Sequence, residues 1–231
     1  MKKVILGIAF LVVLTGCTSK EASIDITKNQ DEGIYDYVYG KSDETIKSVS
    51  GEDQAGNTLN VDVAGKEFQA AVPALLNDQN LDLKVEFSNG NETNQKIKLK
   101  GRLAIDEYPN FVALMNDRIV QTNDKAKTEF PFTVEDGIST VSDVNGVKTN
   151  INVQDGKILG INMTSESDVD KEMATIIVAF QESYHANNEG VSDAYNNALD
   201  AKKKTAFESN GFKFTFEKNG NELFADISKV K

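Results

Sequence analysis

Apolar and polar residues alternate in short runs from residue 24 to about residue 100. The clearest runs cover residues 59–63, 68–72, 81–87 and 97–99, and weaker ones cover 24–26, 35–39 and 46–49. Alternation places the apolar side chains of each run on one face of a strand. The pattern predicts about seven short strands, and short strands at regular spacing are typical of a β-sandwich.

The period changes after residue 100, where helical patterns appear. Residues 109–122 carry apolar side chains at helical spacing, and Pro109 lies near the first turn, where proline is tolerated. Residues 169–184 form the clearest apolar stripe of the chain, with Ser167 as the expected N-cap. A third, weaker helix is predicted over about 192–204, ending in three lysines that suit the C-terminal carbonyls.

Hairpins separate and follow these helices. Asn145-Gly146 and Asp155-Gly156 join three predicted strands over 138–144, 147–153 and 157–163, and Asn219-Gly220 joins a last pair over 212–217 and 222–227. Asn-Gly and Asp-Gly suit two-residue hairpin turns. This half therefore predicts an antiparallel sheet of about five strands with helices on one face, an α+β arrangement.

The first seventeen residues have the features of a secretory leader. Lys2 and Lys3 precede an apolar run over 4–14, which is too short to span a membrane as a helix. The run ends in Leu14-Thr15-Gly16-Cys17, which resembles the lipobox of bacterial lipoproteins. The resemblance implies diacylglyceryl transfer to Cys17 and cleavage between Gly16 and Cys17. An ordinary secretory leader that happens to contain a cysteine is the alternative.

A lipidated Cys17 implies a location on the outer side of the cell membrane. Two acyl chains hold a protein on a bilayer essentially permanently. Thr18 is not the Asp associated with inner-membrane retention, so in a bacterium with two membranes we expect the outer membrane. Residues 9–16 also resemble the apolar octapeptide pheromones that some bacteria release from lipoprotein leaders.

These patterns divide the chain into four segments. Residues 1–16 form the signal peptide, 17–23 the lipidated cysteine and tether, 24–102 the β-sandwich, and 103–231 the α+β domain. The predicted fold class is mainly β plus α+β, with the sandwich followed by an antiparallel sheet with packed helices.

Part of the sandwich resembles bacterial Ig-like surface domains. These domains often contain the pattern GxxxxGxxLxV, then a short G-x-x-F strand and a long alternating strand. The chain matches the pattern at Gly51, Gly56, Leu59, Val61, Gly65, Phe68 and residues 81–85. The resemblance implies an Ig-like sandwich. No cysteine pair or tryptophan supports the antibody type, and this fold has many functions.

Composition excludes several functions. The 231 residues include 36 acidic and 25 basic side chains, for a net charge of −11, whereas nucleic-acid binding needs clustered cations. One cysteine and one histidine exclude an internal disulfide and a His- or Cys-rich metal site. We expect no nucleic-acid partner, no metal and no cofactor.

Catalytic motifs are missing from the sequence. No G-x-S-x-G, G-x-x-x-x-G-K-[ST], G-x-G-x-x-G or H-E-x-x-H pattern occurs, and His185 is expected to be solvated at a helix end. Asp25, Thr27, Asn29 and Asp31 alternate like calcium ligands, but the glycine and glutamate of an EF-hand loop are missing. Adjacent carboxylates such as Asp31-Glu32 point to opposite faces of a strand. We therefore expect no enzyme, with a carboxylate-based hydrolase as a remaining alternative.

Tyr35, Tyr37 and Tyr39 lie at alternate positions and share one face of a predicted strand. They form either an exposed aromatic row that binds a glycan or a partner protein, or part of the inner face of the sandwich with their hydroxyls at its edge. The second arrangement is the one that sandwich packing favours.

The sequence favours a membrane-anchored surface lipoprotein that binds an envelope or extracellular protein or glycan without catalysing a reaction. An exclusion or immunity lipoprotein of a prophage or mobile element is the alternative, because small anchored proteins often have such roles. A solute receptor for an importer would be longer and would repeat βα units on two lobes. Neither feature occurs here.

Overall fold

Seven strands form the N-terminal half of the computed structural model, which describes residues 23–166, 171–201 and 203–230. The strands are β1 (Ile24–Glu32), β2 (Tyr35–Ser42), β3 (Ile46–Ser50), β4 (Asn60–Ala64), β5 (Glu67–Pro73), β6 (Gln79–Phe87) and β7 (Glu92–Leu99). All of their pairings are antiparallel. Seven is the number of strands that the alternating pattern predicts.

These strands form two sheets. One sheet has the order β1-β2-β5-β4, and the other has the order β3-β6-β7. Four strands facing three in this order is the arrangement of a constant-type immunoglobulin sandwich. The predicted Ig-like fold class is confirmed for this half.

The two sheets enclose one apolar core. Its large members include Phe68, Leu83 and Phe87, all 3% exposed or less, and Val38 comes to it from the middle of β2. Gly40 makes room for the ring of Phe68, because a Cβ atom at position 40 would lie 2.0 Å from Cε1 of that ring. The alternation along β5 and β6 thus places one side chain in two inside the sandwich.

Seven strands and three helices form the C-terminal half. The strands are β8 (Asp106–Glu107), β9 (Gly137–Val144), β10 (Val147–Gln154), β11 (Lys157–Ser165), β12 (Thr205–Ser209), β13 (Phe212–Asn219) and β14 (Glu222–Lys229); the helices are α1 (Tyr108–Thr122), α2 (Lys171–Ser183) and α3 (Asn188–Ala201). The main sheet has the order β12-β13-β14-β11-β10-β9, and β8 pairs with the start of β11.

The three helices pack on one face of this sheet. A second apolar cluster joins Phe111 and Met115 of α1, Phe180 of α2, Val191 of α3 and Phe214 of β13. The predicted α+β class is therefore confirmed. The sheet exceeds the expected five strands, because β8 and β12 add to them, and α3 begins and ends before its predicted bounds.

Direct hydrogen bonds join the two halves. Nδ2 of the buried Asn152 donates to the backbone oxygens of Ile34 and Ala74 at 3.1 and 2.8 Å. The Oγ of Ser228 donates to the backbone oxygen of Asp31 at 2.8 Å. The β1–β2 turn therefore packs on the sheet face opposite the helices, and β1 lies along β13 and β14.

Some predictions lie outside the described residues. These are the lipid attachment at Cys17, the cleavage after Gly16 and the N-cap at Ser167. Among the helices in the described part of the chain, none is long and apolar enough to cross a membrane.

Candidate functional site

The three tyrosines of β2 lie on the outer face of the four-stranded sheet. Their neighbours Asp36 and Val38 point inward and are fully buried, whereas Tyr35, Tyr37 and Tyr39 are partly exposed. The expectation that the rings fill the inner face of the sandwich is wrong. Small inward residues and Phe68 already fill that space, so the larger rings take the opposite side of the strand.

The rings form a continuous row along the strand. The ring centroids of Tyr35 and Tyr37 are 6.3 Å apart, and those of Tyr37 and Tyr39 are also 6.3 Å apart. The ring planes of Tyr37 and Tyr39 are tilted by only 27° to each other. Tyr37 pairs across the sheet with Ala71 of β5, a small residue, and stays partly exposed. The row therefore offers ring surface to a ligand without a change in the core.

A groove of about 520 Å³ lies at the Tyr39 end of the row. Tyr39 is directly paired with Thr27 of β1 on one side and Gln69 of β5 on the other, and Gln69 is paired with Asp62 of β4. All four residues line the groove. A hydroxyl, a phenol ring, an amide and a carboxylate therefore form one row across the whole sheet.

Charged side chains flank this row. Lys41 and Glu67 form an exposed ion pair with 2.6 Å between Nζ and Oε1, and the bond to Glu67 raises the pKa of Lys41. Asp25 also lines the groove. With Asp62, the groove has three carboxylates and one ammonium, so its local charge is negative.

The β13–β14 hairpin of the C-terminal half lies beside the tyrosines. Burial raises the pKa of Tyr37, and the neighbouring carboxylates of Asp226 and Glu32 raise it further. Burial is also the main cause that raises the pKa of Tyr39, to which Glu32 contributes. Both phenols therefore stay protonated at neutral pH and can donate hydrogen bonds.

Lys204 joins the halves at this point by forming an ion pair with the buried Glu32. It belongs to the lysine triplet that the sequence assigned to the end of the third helix. Because α3 ends at Ala201, Lys204 lies beyond the helix and is available to Glu32. Nothing in the local pattern distinguishes this lysine from its neighbour Lys203, which is exposed.

Asp226 ends a polar row on the face of the C-terminal sheet that lies opposite the helices. Nδ2 of Asn162 donates to Oδ1 of Asp226 at 2.9 Å, and Asn150 and Thr140 continue the row on the next two strands. Burial raises the pKa of Asp226 to about 6, although the bond from Asn162 opposes the rise. Sequence analysis missed this row, because its members lie on separate strands and share no local pattern.

A buried ion pair supports the base of β2. Arg102 donates from Nη1 to Oδ1 of Asp36 at 3.0 Å and from Nη2 to the backbone oxygen of Gly33 at 2.9 Å. Burial raises the pKa of Asp36 to about 6, and the Arg102 guanidinium limits that rise. These contacts fix the strand that carries the tyrosines.

His185 does not line the groove, and Asp25 and Thr27 of β1 line it without forming a calcium-binding loop. His185 is exposed at the end of α2, as predicted, and its φ of 55° marks the residue that leaves the helix. Asp25, Thr27 and Asn29 extend along β1. Within the described ranges, His, Cys, Asp and Glu side chains form no group of three or more that could hold a metal ion.

The outer face thus combines ring surface, hydrogen-bonding groups and negative charge, and its chemistry suits binding. Comparisons with known proteins add no assignment. No protein-family model matches the chain, and no curated protein or solved structure is significantly similar to it.

Proposed function

We propose that this protein is a lipid-anchored, non-enzymatic surface protein that binds an extracellular or envelope partner through the outer face of its four-stranded sheet. The observation that carries the proposal is the row of Tyr35, Tyr37 and Tyr39, whose rings are partly exposed although the sheet has a filled core of its own. Partly exposed tyrosines are typical of binding surfaces, because they combine a large apolar area with a hydroxyl group.

The anchor completes the proposal. A lipid on Cys17 would hold the chain at the membrane, and only six residues separate Cys17 from the start of β1 at Ile24. A tether of this length reaches about 20 Å when extended. The binding face would then be held close to the cell surface, where envelope components are within reach.

The most buried acidic side chains near the tyrosines are engaged in structural contacts. Asp36 is paired with Arg102, Glu32 with Lys204, and Asp226 accepts a bond from Asn162. A hydrolytic acid and base need access to substrate. The groove at Tyr39 is lined by none of these three carboxylates but by Asp25, Asp62 and Glu67, of which Glu67 is held in its ion pair with Lys41.

Photo-cross-linking on whole cells tests the proposal. A photoreactive amino acid replaces Tyr39 in one variant and the exposed Phe132 of the C-terminal half in a control variant. We expect position 39 to capture a defined envelope partner that position 132 does not capture. Equal capture from positions 39 and 132 would show that the face is not a binding surface. The same conclusion would follow if neither position 39 nor a second variant with the photoreactive amino acid at position 37 captured a partner.

A further inference from the structure

The groove at Tyr39 has the geometry of a carbohydrate site. We infer that it binds a neutral or amine-bearing glycan chain that crosses the strands of the sheet, an inference that rests on the proposed binding function of this face. The groove measures about 520 Å³ and is lined by residues of all four strands. The groove thus indicates a class of partner, whereas the tyrosine row alone does not.

The direction of the chain follows from the register of the sheet. Thr27, Tyr39 and Gln69 are direct cross-strand partners, and Asp62 is the partner of Gln69 on the last strand. Neighbouring strands lie about 4.8 Å apart, so four residues in one row extend over about 14 Å. A row of this length offers contacts to several consecutive sugar rings rather than to one.

The side chains match the two surfaces of a sugar ring. The face of a pyranose is formed by C–H groups and packs on an aromatic ring, which Tyr39 supplies. The rim has hydroxyl groups that both donate and accept hydrogen bonds. Thr27 and the Gln69 amide can do both, and the Asp62 carboxylate accepts. Stacking on Tyr37 orders the ring of Tyr39 before a ligand arrives, which lowers the entropy cost of binding.

A peptide partner fits this groove less well. An extended peptide binds a sheet through free backbone groups at an edge. Tyr39 and Gln69 lie on the two central strands, where the backbone pairs with strands on both sides. Recognition at this place must therefore use side chains, and the side chains present are those that suit hydroxyl groups.

Charge narrows the class of glycan. Asp25, Asp62 and Glu67 line the groove, and its one ammonium, that of Lys41, is paired with Glu67. Phosphate- or carboxylate-rich polymers would be repelled from these carboxylates. A neutral chain would be accepted, and an amino sugar would gain attraction from Asp25 and Asp62.

Titration with defined oligosaccharides tests the inference. The protein is purified in detergent micelles and titrated with tetrasaccharides of β-1,4-linked glucose, N-acetylglucosamine and glucosamine. We expect at least one of them to bind, and the Tyr39→Ala and Gln69→Ala variants to bind at least about tenfold more weakly. Tyr39→Phe should keep most of the affinity, because it retains the ring.

Asn94→Ala is the matched control, because it removes an exposed amide from β7 of the other sheet. Thermal unfolding of each variant checks that the sandwich remains folded. Isolated bacterial cell walls, treated with β-1,4-glycan hydrolases or with protease, supply the second arm. Tyr39-dependent binding that resists protease and is lost after treatment with the glycan hydrolases supports the glycan.

The two failures are distinguishable. Tyr39-dependent wall binding that survives the glycan hydrolases and is lost after protease would overturn the glycan inference and leave the binding face in place. If no tetrasaccharide binds and no wall binding depends on Tyr39, both the glycan inference and the proposed function are overturned.

Discussion

Arg102 and Asp36 form an ion pair that is almost completely buried, with side-chain exposures of 4% and 0%. Nη1 of Arg102 lies 3.0 Å from Oδ1 of Asp36, and Nη2 donates to the backbone oxygen of Gly33. Arg102 comes from the segment between the two halves and Asp36 from β2, so the pair ties the connection to the strand that carries the tyrosines.

We predict that Arg102→Met destabilises the protein by about 3–5 kcal/mol, because it leaves the Asp36 carboxylate buried without its partner. Urea unfolding measures the change. Lys84→Met is the control: it breaks the exposed pair of Lys84 with Glu92, at 2.8 Å, and should cost at most about 1 kcal/mol. Equal losses in the two variants would contradict the structural role of the buried pair.

The carboxyl of Asp226 makes stability depend on pH. Its pKa rises from 3.8 to about 6 in the folded chain, so the folded state holds the proton more tightly than the unfolded state. This contribution to stability is fully present below about pH 4 and is lost as the pH rises through about 6.

We therefore predict that Asp226→Asn removes part of the loss of stability between pH 4 and about 6.5, while Asp36, whose pKa also rises to about 6, keeps its part, and that the variant is about 1–2 kcal/mol more stable at pH 7. The asparagine oxygen can still accept the bond from Asn162. Unfolding free energies at a series of pH values measure both effects. Glu222→Gln removes one charge from an exposed position of the same strand and serves as the control. An unchanged slope in Asp226→Asn would exclude Asp226 as its source.

Local patterns predicted most of the fold. Alternation found the seven sandwich strands, and Asn145-Gly146 and Asp155-Gly156 were correctly placed as turns: all four residues have φ between 49° and 81°. Strand β12 was missed, although Asn210-Gly211 joins it to β13 with the same left-handed backbone. That pair is the signal in the sequence that identifies β12.

The contacts between the two halves could not be predicted from any local pattern in the sequence. Asn152 bonds to a residue 118 positions away, and Arg102 to one 66 positions away. Each looks like an ordinary polar residue in its own segment, because hydrophobic periodicity describes only neighbours along the chain. The tyrosine row could be predicted because its alternation is local. The face of the sheet on which the row lies could not be predicted, because it depends on the packing of Phe68 and Val38.

Asn152 is one of the polar links between the halves, and we predict that Asn152→Ala loosens the junction. The change removes one of two donors from each buried backbone oxygen: Ile34 keeps the N–H of Ala74, and Ala74 keeps Nε2 of Gln154. A loss of about 0.5–1.5 kcal/mol is expected. Hydrogen exchange should become faster around residues 33–36 and 74–76. Asn150→Ala, on the surface row of the same strand, should leave exchange there unchanged.

Gly160 permits the closest backbone approach at the junction. A Cβ atom at position 160 would lie 2.0 Å from the backbone oxygen of Gly33. We predict that Gly160→Ala destabilises the protein by about 2–3 kcal/mol, because the backbone of the β1–β2 turn must move away. Gly90→Ala is the comparison. An added Cβ atom at position 90 would have no atom within 4 Å, and the φ of +87° at this residue would cost only about 1 kcal/mol of backbone strain. Thermal unfolding compares the two variants, and similar losses would contradict a tight junction.

The proposed anchor gives the last prediction, because Cys17 is the only thiol of the chain and follows Leu14-Thr15-Gly16. We predict that Cys17→Ser abolishes lipid attachment and cleavage before residue 17, while the unfolding transition stays the same, since position 17 precedes the first strand at Ile24. Mass spectrometry of the mature N-terminus measures attachment and cleavage, and Ser19→Ala is the control that should keep both. An unmodified Cys17 thiol in the membrane fraction, or a mature chain that begins elsewhere, would overturn the anchor. In that case a binding face at Tyr35, Tyr37 and Tyr39 would act from a released protein rather than from the cell surface.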